Sequence, residues 1–233
     1  MGNTWAILTK EVKSYLNSPV AYLFVAAFLG LTGYFYFEAF FLRRTAELRS
    51  FFELMPALYA VFLPALTMRL WAEEKKSGTL EVLLTMPVRN LELVLGKFLA
   101  SLCLLVALLL LTVPVPVVVA SLGPVDIGPI IGGYLGSVLL GASFLAVGLF
   151  FSSMTESQFV ALILTWAVGV LFVVMGLDFV TRLLPVFTDL SLYSRFDNIA
   201  RGVVDSRDLV YYISFISFFL GLNLTTLELR RWR

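Results

Sequence analysis

Arg69-Leu-Trp-Ala-Glu-Glu-Lys-Lys-Ser-Gly-Thr-Leu-Glu-Val-Leu-Leu-Thr-Met-Pro-Val-Arg-Asn-Leu-Glu-Leu-Val-Leu-Gly-Lys97 is the densest charged segment of a very apolar chain. It lies between two hydrophobic runs, 51–70 and 91–120, each long enough to cross a bilayer. The segment therefore stands at a membrane surface, where a soluble protein can reach it. Within it Leu80, Leu83, Leu84 and Pro87 recur at three and four residues, the period of one helix face. This spacing predicts a short helix from Gly78 to Met86, with Gly78 at the N-cap and Glu81 three residues on, as in a capping box. Pro87 stops it, because proline disfavours helical backbone in the residue before it. Asn90 and Glu92 open the next helix, an acid in the first turn meeting the helix dipole. A fixed start, an apolar stripe and a fixed stop describe a rigid element that can transmit a push.

Working outward, the 233 residues are 60% hydrophobic and 14% charged, where a soluble domain carries about 25% charge. The fold class expected is all-α, a polytopic membrane protein. A net charge of +1 gives no global field toward nucleic acid. The single Cys103 excludes an intramolecular disulfide. The chain has no histidine, which removes the commonest general base and metal ligand. The first apolar run begins near Pro19 and is too long for a signal-peptide core, so it is expected to remain as an anchor.

Residues 1–18 read as an interfacial helix, with Trp5, Leu8, Val12, Tyr15 and Leu16 on one stripe at headgroup level. Six spans are expected, at 20–42, 51–70, 91–120, 130–152, 157–177 and 209–227. Ser50 with Glu53, and Thr155 with Gln158, have capping-box spacing at the starts of the second and fifth. Pro56 and Pro64 should loosen the second span, and Pro114 with Pro116 should kink the outer end of the third. Gly132, Gly136, Ser137, Gly141 and Ala142 in the fourth let another helix approach closely. Residues 178–208 mix charge with Leu, Phe and Tyr and read as amphipathic helices on the extracytoplasmic edge. Residues 72–90 form the charged segment between spans two and three.

With six spans both termini share a side with that segment. Ten of the seventeen basic residues, including every lysine, fall there, which places it in the cytoplasm. Among charges near span ends, Glu38 and Asp178 can reach water and read as interfacial. No phosphate-binding loop, metal-ligand cluster or nucleophile-histidine pair is present, and Ser143 has no base, so no catalytic, cofactor-binding or metal site is expected. If the protein moves something uphill, another subunit supplies the energy.

Residues 62–87, from Phe62-Leu-Pro-Ala-Leu-Thr-Met-Arg-Leu-Trp to Thr85-Met-Pro87, together with Val94-Leu-Gly-Lys-Phe98, resemble the signature of type-2 ABC (ATP-binding-cassette) transporter permeases, and most closely the gliding-motility-type subgroup. Lys10-Glu-Val-Lys-Ser-Tyr-Leu-Asn-Ser-Pro-Val-Ala-Tyr22 is similar to that subgroup's N-terminal stretch. The resemblance implies a permease subunit of the cytoplasmic (inner) membrane that carries no cofactor itself. ATP and Mg are implied on two copies of a separate ATPase subunit, and a second permease, identical or different, as a further partner. It also implies that Glu73, Glu74, Lys75, Lys76, Gly78, Thr79, Leu80, Glu81, Leu84 and Pro87 belong to a coupling helix and its approach, contacting the ATPase. The segment before the last span corresponds to outward-side re-entrant helices. The alternative is a membrane scaffold or assembly factor that translocates nothing; capture of an ATPase through residues 72–90 separates the two readings.

Overall fold

The computed structural model describes residues 2–43, 48–85, 87–122, 125–183 and 186–231. Among them the chain is helical, 88% by residue, with no strand. Its helices run back and forth between two polar ends, one marked by Lys97 and the other by Arg49. Helix α1 (Gly2–Leu16) lies at the Lys97 end, and Pro19 opens α2 (Pro19–Arg43), which runs to the Arg49 end. There α3 (Arg49–Glu53), α4 (Met55–Thr67) and α5 (Arg69–Lys76) form one returning column, interrupted at Leu54 and Met68. After α6 (Thr79–Thr85), α7 (Asn90–Thr112) and α8 (Pro114–Leu122) form the next column. Its break at Val113 is the expected proline kink, since Pro114 and Pro116 lack the N–H groups that would bond one turn back.

Helix α9 (Ile127–Met154) is the centre of the molecule and packs on α14, α13, α4, α10 and α7. Helix α10 (Gln158–Val174) leads back to the Arg49 end and to α11 (Asp178–Leu183), α12 (Val186–Leu190) and α13 (Leu192–Ala200). The last helix, α14 (Ser206–Arg231), starts beside α13, where Asp208 meets Arg195 at 2.8 Å.

The glycines of α9 explain its central place. A Cβ on Gly133 would lie 2.4 Å from the Phe52 ring, one on Gly141 2.4 Å from Leu105, and one on Gly148 2.0 Å from Thr67 Oγ1. At the Arg49 end Gly132 and Gly136 lie under Ile199 and Phe196 of α13. Where lipid tails are as apolar as the side chains, such close approach supplies dispersion contact that a larger residue would block. The close approach expected at Gly132, Gly136 and Gly141 is thus met, by α13 at one end and α7 further along.

Among the described residues, five helical columns are long and apolar enough to cross a membrane: Pro19–Glu38, Arg49–Lys76, Asn90–Ser121, Ile127–Met154 and Ser206–Leu229. Within the remaining expected span, 157–177, the helix Gln158–Val174 is apolar but shorter.

Several local expectations need correction. The helical column of the second span continues past Leu70. Leu70, Trp71 and Ala72 are buried and carry the helix on to Lys76, so Glu73, Glu74, Lys75 and Lys76 are its last turn. Ser50 is not an N-cap but lies inside α3, whose Glu53 pairs with Arg49 at 3.0 Å. At α10 the cap is Ser157, which accepts from the Val160 N–H, while Thr155 accepts from Ser157. The expected end of the short helix at Met86, part of the 43–49 turn (44–47), part of the 121–129 loop (123–124) and the tail at 232–233 lie outside the described residues.

Candidate functional site

Helices α5 and α6 form a tight hairpin on the Lys97 end. Ser77 and Gly78 close α5, their N–H groups donating to Glu73 and Lys75 carbonyls at 3.0 and 3.1 Å. Gly78 has φ +72°, a left-handed backbone that glycine adopts without steric cost. It therefore terminates α5 and is not the extended N-cap expected for α6. The Ser77 hydroxyl donates to the Glu73 carbonyl at 2.9 Å and lies 2.9 Å from Thr79 Oγ1, which donates to the Glu74 carbonyl at 3.3 Å. Short hydroxyl side chains thus tie the turn, and α6 leaves it at a fixed angle.

On α6, Leu80 is buried and Leu83 packs against the core, so these members of the expected apolar stripe hold α6 to the body of the protein. The face turned outward carries Thr79, Glu81, Val82 and Thr85, with Val82 58% exposed. Glu73, Lys76, Gly78 and Pro87 are also exposed. The Leu84 side chain lies outside the described residues. Glu74 turns inward and Lys75 donates to the Ser153 carbonyl at the end of α9, so both are engaged within the protomer.

Behind the hairpin is a buried ion cluster that the charge pattern did not reveal. Lys97, its side chain 2% exposed, reaches Glu11 of α1 at 3.0 Å and Glu74 of α5 at 2.8 Å. Its ammonium also stands 4.8 Å from the centroid of the Trp71 ring. A lysine this deep requires its charge to be met by paired acids, and here they come from two other helices. Gly96 makes room for the arrangement, since a Cβ there would lie 2.7 Å from Ile7 of α1. The sequence signal was available in Leu-Gly-Lys-Phe, a lone cation in an apolar run directly after the small residue.

The same cluster fixes how α1 sits on the body of the protein. Trp5 is 69% exposed, but Leu8, Val12 and Tyr15 are partly covered, and Ile7 packs inward. Asn3 donates to Glu92 at 3.2 Å, and Glu92 accepts the Arg89 N–H at 3.2 Å, closing the start of α7. Helix α1 is strapped across α7 while Trp5 and Leu16 face outward. Burial pushes the Tyr15 phenol up from its ordinary value, with Glu11 adding and Arg69 opposing.

One further link joins the α4–α5 break to α9. Ser152 Oγ accepts the Trp71 and Ala72 N–H groups at 3.0 and 3.2 Å and donates to the Met68 carbonyl at 3.1 Å. Groups left without helical partners by the break are satisfied from a neighbouring helix. No group of three or more potential metal ligands occurs among the described residues.

A family model described as ABC-2 family transporter protein matches residues 5–194, which covers α1 from Trp5 onward, the hairpin, the Lys97 cluster and the central helix. The chain belongs to the ABC-2 transporter family. It is accordingly a multi-pass membrane protein and a permease component of an ABC transporter, the transmembrane part of a machine whose ATPase is a different component. Permeases of this family generally work with an ABC ATPase. A search of curated proteins returns no match.

Proposed function

We propose that this ABC-2 permease translocates its substrate across the cytoplasmic membrane, driven by ATP hydrolysed, with Mg, on two copies of a separate ATPase docked on the α5–α6 hairpin. A second permease subunit completes the pathway, and the chain is of the gliding-motility type, as its N-terminal stretch and residues 62–98 suggest. In this reading α10 is the sixth crossing. Its 17 residues lie at the lower limit of about 17 that a tightly fitted span requires. Both termini then lie in the cytoplasm with the hairpin.

The observation that carries the reading is the Lys97 cluster. A force applied to α6 reaches α5 through a turn held by side-chain hydrogen bonds, and Lys97 joins the end of α5 to α1 and α7 at 3.0 Å or less. Reversing a two-state equilibrium from 1:99 to 99:1 takes about 5.5 kcal/mol of differential binding. One exposed ion pair supplies about 0–1 kcal/mol, so the ATPase must grip the whole outward face of α6, apolar Val82 included.

The test is the double substitution Glu81→Arg with Val82→Asp, both at exposed positions. The variant should reach the membrane at wild-type levels while transport and substrate-dependent ATP hydrolysis fall at least about tenfold, the equivalent of about 1.4 kcal/mol. Coupling equal to wild type would show that the ATPase docks elsewhere.

A further inference from the structure

Beside the ion cluster a cleft of about 330 Å³ opens between α1 and α5, its lining including Lys10, Tyr15, Ser18, Arg69, Glu73 and Glu74. Ligand sites start at about 300 Å³, so the cleft has room for a small polar group. Its polar inventory is unbalanced in a specific way. Arg69 and Glu73 are one helical turn apart, the spacing at which Arg49 and Glu53 pair at 3.0 Å, yet neither Arg69 nor Glu73 forms an ion pair among the described residues. Lys10, 63% exposed, reaches its nearest carboxylates at only 3.8 and 3.9 Å. The Tyr15 hydroxyl and Glu74 Oε2 are buried without a hydrogen-bond partner, and a buried orphan of this kind costs about 1–3 kcal/mol. With Lys97 and Glu11, also in its lining, already paired with each other, the cleft presents donors and cations (Tyr15, Arg69, and Lys10 in two loose ion pairs) next to acceptors (Glu73, Glu74 Oε2).

The position of the cleft selects the occupant. Ser18 lies at its rim and Pro19 begins α2, so the cleft stands where an apolar helix enters the bilayer, at headgroup depth. Directly beyond it α2 exposes Val20, Tyr22 and Leu23, at 50%, 60% and 70%, a surface on which acyl chains can lie. We propose that the cleft binds the headgroup of a zwitterionic phospholipid with a primary ammonium, its phosphate on Arg69, Lys10 and the Tyr15 hydroxyl and its ammonium on Glu73 and Glu74 Oε2. A primary ammonium offers three N–H donors to those acceptors, whereas a quaternary ammonium offers none. Binding here does not depend on α6 meeting an ATPase.

The test uses the full-length permease in nanodiscs of equal parts phosphatidylethanolamine, phosphatidylcholine and phosphatidylglycerol with identical acyl chains. Transfer to mild detergent followed by native mass spectrometry counts the lipid retained per chain. Wild type should keep one phosphatidylethanolamine, at about tenfold preference over the other two. Arg69→Gln should cut retention of every phospholipid about tenfold, Tyr15→Phe should reduce it less, and Glu73→Gln should keep a phospholipid while losing the preference for the primary ammonium. Equal retention of the three lipids by wild type, preference for phosphatidylglycerol, no retained lipid, or substitutions at Arg69 and Glu73 that leave the pattern unchanged would each overturn the proposal.

Discussion

Replacing Lys97 with methionine should destabilise the permease more than any other single change at its charged end. The substitution keeps an unbranched apolar stem and removes the ammonium that Glu11 and Glu74 share at 3.0 and 2.8 Å. Removing one partner of a buried ion pair costs about 3–5 kcal/mol, because the remaining charge stays desolvated. The carboxylate side chains here are 12% and 17% exposed, so some water reaches them and the lower end, about 3 kcal/mol, applies. Loss of the contact with the Trp71 face adds about 0.5–1 kcal/mol. For a chain of this size each kcal/mol moves the midpoint by about 2–4 °C, which predicts a drop of about 7–16 °C in a thermal melt of the detergent-solubilised protein at fixed scan rate. The triple variant Lys97→Met, Glu11→Gln, Glu74→Gln should recover more than half of the loss, since a neutral replacement of the whole cluster removes the unpaired charges. A single variant melting within about 2 °C of wild type, under 1 kcal/mol on that scale, would refute the reasoning. So would a triple variant no better than the single one.

Three further outcomes follow from other parts of the structure. Ser152→Ala removes the acceptor for the Trp71 and Ala72 N–H groups and should cost about 1–3 kcal/mol, read as faster amide exchange confined to residues 68–73. Gly78→Ala meets nothing within 4 Å, so its cost comes from φ +72° alone, about 1–2 kcal/mol; it should lower transport, with Gly78→Asn intermediate, in a vesicle uptake or efflux assay. Cysteine placed at exposed Lys76 or at exposed Arg201, in a background lacking Cys103, should react with impermeant maleimide from opposite sides of the membrane, Lys76 from the cytoplasm; labelling of both from one side would invert or break the proposed topology.

The helical, multi-pass character was legible because apolar runs of span length are local features, and the prolines at 114 and 116 marked the Val113 break for the same reason. The central glycines signalled close packing, but not that α13 would cover Gly132 and Gly136 while Thr67 filled the space at Gly148. The continuation of the helix past Leu70 was not legible because Arg69 and Glu73 interrupt the hydropathy, whereas Trp71 and Ala72 are fully buried and keep the helix in register. Capping was misread at Ser50 and Gly78 for a related reason. The spacing of a capping box is common to many short segments, and only backbone geometry separates a helix start from the end of the helix before it. The Lys97 cluster was least legible, since its partners Glu11 and Glu74 lie 86 and 23 residues away and nothing local selects them from the sixteen acids of the chain.

On the coupling proposed above, the two links that the sequence concealed decide how a push at α6 would travel. It can either bend the α3–α4–α5 column at Met68 or move α5 together with what is attached to it. Bending separates Ser152 from the Trp71 and Ala72 N–H groups and the Met68 carbonyl, and net hydrogen bonds of about 1 kcal/mol each make that route cost about 3 kcal/mol. It also pulls Glu74 from Lys97, adding about 3 kcal/mol more by the reasoning above. The sum is about the 5.5 kcal/mol needed to reverse a two-state population, so bending at Met68 would consume the whole coupling free energy. Carrying α5 along as a body preserves both links and takes α1, the start of α7 and the end of α9 with it. The direction of least cost therefore runs from the hairpin into three columns at once, and a permease in which either link is cut should hydrolyse its partner's ATP with less transport per turnover.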